Sequence, residues 1–168
     1  MYGLWGKALN MSNCDQAMTN HFDGSRAAIV GLMNKPALTA ADVANLRRKV
    51  LGDNAVTRDE AEALFALECA PVQKCPEWTA FLVEAVTDHV VWQARPTGVV
   101  NTPQAEWLVA QVDRAKSVNA LAVLVNVLAE AHRVPMWLGA AARGRANAGW
   151  SGVREALEAA RLEMAQAA

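Results

Sequence analysis

Apolar residues recur at intervals of three and four along this chain, and runs that alternate apolar with polar are missing, so the pattern predicts helices throughout. Ser25 to about Met33 reads as a short first helix that Asn34, Lys35 and Pro36 bring to a stop. Thr39 and Asp42 form a weak N-terminal box before a helix with Val43, Leu46 and Val50 on one face. Thr57 and Glu60 form a full capping box, in which the hydroxyl accepts from the third helical amide and the carboxylate reaches back to the cap amide. Ala61, Leu64, Phe65 and Leu67 then supply the apolar face of a helix ending near Glu68. Pro76, at a first helical position, opens a long helix to about Gln93, and Arg95, Pro96, Thr97 and Gly98 break it.

Asn101 and Gln104 start the next helix, which carries Trp107, Leu108 and Val112. Ser117 or Asn119 caps a further one, with Leu121, Leu124, Val125, Leu128 and His132 at helical spacing until Pro135 stops it. The stretch from Gly139 to Gly149 reads as a short helix and a flexible link. Ser151 then caps a last amphipathic helix with Val153, Leu157, Ala160 and Met164 on one face. The expectation is an all-α, irregular multi-helix bundle of about seven helices in a single domain, residues 1–168. Residues 1–37 form an irregular N-terminal arm, residues 38–135 the core, and residues 136–168 a linker and C-terminal amphipathic helix.

Composition narrows the function classes. The chain is 53% hydrophobic and 20% charged, which is globular, and its net charge of -1 offers no field for nucleic acid or an anionic membrane. No stretch has the apolar length of a membrane span, and Met1 to Asn10 lacks the apolar segment of a secretory leader. Cys14, Cys69 and Cys75 are an odd set without a CxxC pair, which fits reduced thiols in a cytoplasmic protein. Six tryptophans are scattered along the chain; most are expected as core anchors, and one or two at a partner surface.

Shifting the chain by 44 positions sets Thr57 on Asn101, Glu60 on Gln104, Glu62 on Glu106, Leu64 on Leu108 and Val83 on Val127. The core is therefore expected to be an internally duplicated helix pair. The lead-in to the first unit, from Asp53 and Asn54 through Val56 and Thr57 to Glu60, resembles the Asp-Gly-x-(Ile/Val)-(Ser/Thr)-x-x-Glu signature of TerB-like tellurite-resistance domains. The resemblance covers residues 38–135 and implies an all-helical domain in which acidic residues bind a divalent metal. Asn54 replaces the glycine, and in the second unit Thr97 and Gln104 replace the acids. An EF-hand loop ending at Glu60 is excluded, because Lys49 and Leu51 fall at its first and third ligand positions.

The metal candidates are Glu60, Glu62, Glu84 and Asp88, but N-capping accounts for the matched motif residues without a metal, so none is favoured and no cofactor is expected. Glu84 and Asp88, one turn apart, read first as a solvated strip and second as a ligand or acid–base pair. His89 and His132 end apolar stripes and read as hydrogen-bonded, part-buried histidines. Cys69, Cys75, His89 and His132 match no zinc-module spacing, and nucleophile elbow, HExxH and phosphate-loop motifs are missing. The leading expectation is thus a non-enzymatic protein–protein interaction module, with a partner held by Trp137, Trp150, Val153, Leu157 and Met164. Behind it stand a TerB-like metal sensor and a small enzyme using Glu84, Asp88 and His132.

Overall fold

The computed structural model describes residues 24–52, 55–150 and 152–166 of the chain. Among these residues the protein is all-α. Helix α1 covers residues 24–33, α2 Ala40–Val50, α3 Arg58–Cys69, α4 Pro76–Thr87, α5 Thr102–Ala115, α6 Val118–Glu130, α7 Met136–Ala146 and α8 Val153–Gln166. No helix of the described residues is long and apolar enough to cross a membrane.

Helix α4 lies at the centre, packed on α6 and on α2, while α3 packs on α5, α5 on α6, and α6 on α7. Its residues Trp78, Phe81, Leu82, Ala85 and Val86 are fully buried, and after its first residue, Pro76, only Glu77, Ala80 and Glu84 are exposed. That is the single solvent strip expected from the spacing of its acids. Truncating an aromatic in this row would cost about 3–5 kcal/mol, because the neighbours close a cavity only in part.

The core is wider than residues 38–135. Ile29 of α1 is fully buried, and Ser25 donates to the Lys49 carbonyl at 3.2 Å, so α1 belongs to the bundle. Leu138 and Ala142 bring α7 into the same core, and Arg145 Nε ties α7 to Asp113 of α5 at 2.6 Å. Helix α7 also begins at Met136 instead of near Gly139. Helix α6 ends at Glu130, with Ala131 already extended, so it stops short of His132 and of Pro135, which instead caps α7. The α6 cap is Ser117, which leaves Asn119 inside the helix. Residues 1–23, with Trp5 and Cys14, and the Ser151 cap lie outside the described residues.

From Asp88 to Gln93 the central helix widens into a π-helix, a change that its apolar spacing does not announce. The widening alters the carbonyl partners. Gly98 N–H donates to Val91 O at 2.7 Å, and Gln104 Nε2 approaches Val90 O at 3.5 Å. Gly98 has φ +77°, and a Cβ on it would lie 2.5 Å from the His132 ring, so glycine is required twice over.

Two isolated parallel bridges close the bundle's ends, Ala37 with Gln73 and Val99 with Arg133. They share one pattern: Leu38 N–H donates to Gln73 O and Gln73 N–H to Pro36 O, as Val100 does to Arg133 O and Arg133 to Gly98 O. Reciprocal capping boxes stand at Thr39–Asp42, Thr57–Glu60 and Asn101–Gln104.

The first box has a pH signature. Lys35 Nζ lies 2.6 Å from Asp42, and with the Thr39 amide and hydroxyl it holds the Asp42 carboxyl at about 2, below the ordinary 3.8. A depressed folded-state value adds stability above the ordinary value, and that stability is lost as pH falls toward about 2. Asp42→Asn is expected to cost about 0.5–2 kcal/mol at neutral pH, the range of a lost cap. Urea unfolding should show the difference from wild type vanishing at the acid end of that window.

Candidate functional site

Each of the four carboxylates considered for metal binding is engaged by a neighbouring side chain or backbone group. Glu60 is buried and spent on its cap, accepting from the Thr57 amide at 3.0 Å and the Thr57 hydroxyl at 2.8 Å. Glu62 accepts from Trp107 Nε1 at 2.9 Å and Arg58 Nε at 3.1 Å; these two donors, the indole first, hold its carboxyl below the usual range. Glu84 pairs with Arg47, and Asp88 accepts from Gln93. Among the described residues, no group of three or more His, Cys, Asp or Glu side chains is placed to hold a metal ion. Asp53 and Asn54 of the signature lie outside the described residues.

His89 is half-buried; its Nδ1 sits 2.7 Å from Val56 O, and its ring meets Trp107 edge-on at 5.6 Å. A backbone carbonyl can only accept, so Nδ1 carries the proton there. His132, in contrast, is exposed and packs edge-on against Trp92 at 6.0 Å. Cys69 is exposed and Cys75 half-buried; partial burial, then nearby Glu68, pushes the Cys69 thiol up and away from the reactive thiolate.

A cleft of about 290 Å³ opens between α4, its π-helical end and α6. It brings together Glu84 and Asp88 with Val83, Trp92, Asn126 and Glu130, whereas His132 is not among its lining residues. Glu130 is fixed there: Oε2 accepts from Trp92 Nε1 at 2.8 Å and Oε1 from Asn126 Nδ2 at 2.9 Å. Asn126 also donates to Thr87 at 3.0 Å. Trp92 stands on the apolar stripe by α-helical spacing, yet it is 40% exposed. The wider π turn moves each following side chain around the axis relative to that spacing.

A second polar junction is internal. Trp78 Nε1, fully buried, donates to Glu68 Oε2 at 2.6 Å, and Asn119 Nδ2 donates to Glu68 Oε1 at 3.2 Å while its Oδ1 accepts from Thr79 at 2.7 Å. Lys74 donates to the Ala70 and Val72 carbonyls beyond the end of α3, and burial lowers its pKa. Among the described residues every buried side-chain polar atom has a partner.

The residues expected at a partner surface divide. Trp137 is 39% exposed beside Met136, which is 99% exposed. Trp150 packs against the core, and Val153 is buried, so both join the body. The side chains of Leu157 and Met164 lie outside the described residues. Beyond Val153, the described side chains of α8 are exposed, with Leu162 at 63%.

No protein-family model matches this chain, and neither a curated protein nor a solved structure matches it.

Glu68 anchors the buried junction. Glu68→Ala leaves the Trp78 and Asn119 donors without their acceptor and is expected to cost about 2–4 kcal/mol in chemical denaturation. Glu68→Gln keeps one acceptor oxygen and should cost roughly half as much.

Proposed function

We propose that this protein is a non-enzymatic helical interaction module whose terminal helix α8 engages a protein partner. The observation that carries the reading is the contrast within α8. Its first turn is anchored by buried Val153, and its other described side chains face solvent. A helix of 14 residues is marginal in water on its own, so a partner that takes up the apolar positions Leu157, Ala160 and Met164 would add stability to it. Met136 and Trp137 at the start of α7 are exposed apolar side chains as well. The same reading sets the protein in the cytoplasm, where Cys69 and Cys75 stay reduced.

The TerB-like metal-binding alternative rests on the Thr57–Glu60 motif. Its acids would have to leave the cap, the Trp107–Arg58 contact and Arg47 to converge. Capping explains the motif with no rearrangement, which favours the interaction reading.

The deciding variant is a chain shortened to end at Glu155, which keeps Trp150 and Val153. Loss of exposed helix should leave unfolding cooperative, with Tm within about 3 °C of the full chain. Tagged full-length and shortened proteins, expressed in the native host, should then differ in one or more captured proteins. Collapse of the fold on shortening, or identical capture by both forms, would overturn the role of α8.

A further inference from the structure

Two places on this protein hold versions of one side-chain arrangement. In the first, Trp107 Nε1 donates to Glu62, Arg58 lies over the Trp107 ring at 5.3 Å, and Arg58 Nε also donates to Glu62 at 3.1 Å. Indole, carboxylate and guanidinium thus close a three-membered set, with the cation touching both the ring face and the acid. In the second, Trp92 Nε1 donates to Glu130 at 2.8 Å, and among the described residues no cation lies over the Trp92 ring. The second set has the indole and the carboxylate but lacks the guanidinium.

We infer that the α4–α6 cleft is a docking site for an arginine-bearing segment of a protein partner, whose guanidinium takes at Trp92 and Glu130 the place that Arg58 takes at Trp107 and Glu62. The inference rests on the interaction-module reading but uses a surface separate from α8.

Three further observations fit this occupant. Glu130 is held on both oxygens by Trp92 and Asn126, and each oxygen keeps a second acceptor site, so the acid is ordered before binding. The charge is complementary. Glu84, Asp88 and Glu130 line the cleft; Arg47 offsets Glu84, while Asp88 and Glu130 are met by the neutral donors Gln93, Trp92 and Asn126. The size is right for side chains rather than for a bulky ligand, since about 290 Å³ lies at the floor of the roughly 300–1,000 Å³ range of small-molecule pockets. Val83 gives the aliphatic stem of the arginine an apolar wall.

The test uses the full chain and two short alanine-based peptides, blocked at both ends, that carry either arginine or its uncharged isostere citrulline at two central positions. Trp92→Phe assigns the Trp92 indole resonance among the six in a nitrogen–proton correlation spectrum. The arginine peptide is expected to shift that resonance saturably, and the citrulline peptide to leave it in place. Glu130→Gln should weaken the response about fivefold, and raising the salt to about 0.5 M should weaken it further. An equal response to citrulline, shifts confined to the other tryptophans, or no saturable shift would overturn the assignment. So would spermine binding as tightly as the peptide, since the site would then select free polycations. The chain ending at Glu155 should keep the peptide response. Loss of the cleft's response with α8 capture intact removes this inference alone, and the reverse removes only the α8 reading.

Discussion

The indole N–H of Trp78 cannot enter the centre of a helical bundle without an acceptor, because a buried donor left unpaired costs about 1–3 kcal/mol. Glu68 on α3 supplies that acceptor, and Asn119 on α6 holds the other oxygen of the same carboxylate. Three helices are therefore set in register by one acid. The apolar row of α4, from Trp78 to Val86, then fills the space between α2 and α6. Where that row ends, at Asp88, the helix widens, and Gly98 and Gln104 close on the carbonyls of Val91 and Val90. The cleft with Trp92 lies at this widened end, on the side of α6. The polar centre and the surface cleft are thus two consequences of burying one helix.

Much of the helical framework is legible in the sequence because its signals are local. Thr39–Asp42, Thr57–Glu60 and Asn101–Gln104 each name a helix start within four residues, and each forms its reciprocal box. Pro76 marks α4 for the same reason. The features that the pattern misplaces depend on distant partners. Ile29 reads as part of a loose arm until α1 is seen to pack on the core, and Pro135 reads as a stop because its role in starting α7 is set by what α7 packs against. The π-helix has no pattern of its own; its carbonyls at Val91 and Val90 find their partners in Gly98 and Gln104, beyond the helix end.

The candidate site is legible in part. The spacing of Glu84 and Asp88 singles them out, and they do share a cleft. Its more organised acid, Glu130, carries no signal in its neighbourhood, since it is one exposed carboxylate at a helix end until Trp92 and Asn126 reach it across 38 and 4 positions. Trp92 itself reads as core, because α-helical spacing places it on the apolar stripe. Glu60 ends a motif that resembles a metal-binding signature and forms a reciprocal cap, while Glu62, two residues on, meets an indole and a guanidinium that no local signal announces.

Magnitudes decide how the buried Trp78–Glu68 pair and the surface Trp92–Glu130 pair differ. Trp78 and its neighbours have no apolar area left to give, whereas Trp92 at 40% exposure keeps on the order of 100 Å², taking a side chain of about 150–250 Å². Covering that area is worth roughly 2 kcal/mol at ~25 cal/mol per Å². An exposed carboxylate–guanidinium contact adds only about 0–1 kcal/mol, and a surface cation–π contact about 0.5–1. The ring therefore supplies most of the attraction a partner can feel, and the acids choose among partners. An apolar side chain would cover Trp92 but leave Glu130 and Asp88 desolvated against it, at a cost that cancels the gain. A guanidinium on an aliphatic stem covers the ring and pairs the carboxylate beside it, which is what Arg58 already does at Trp107 and Glu62.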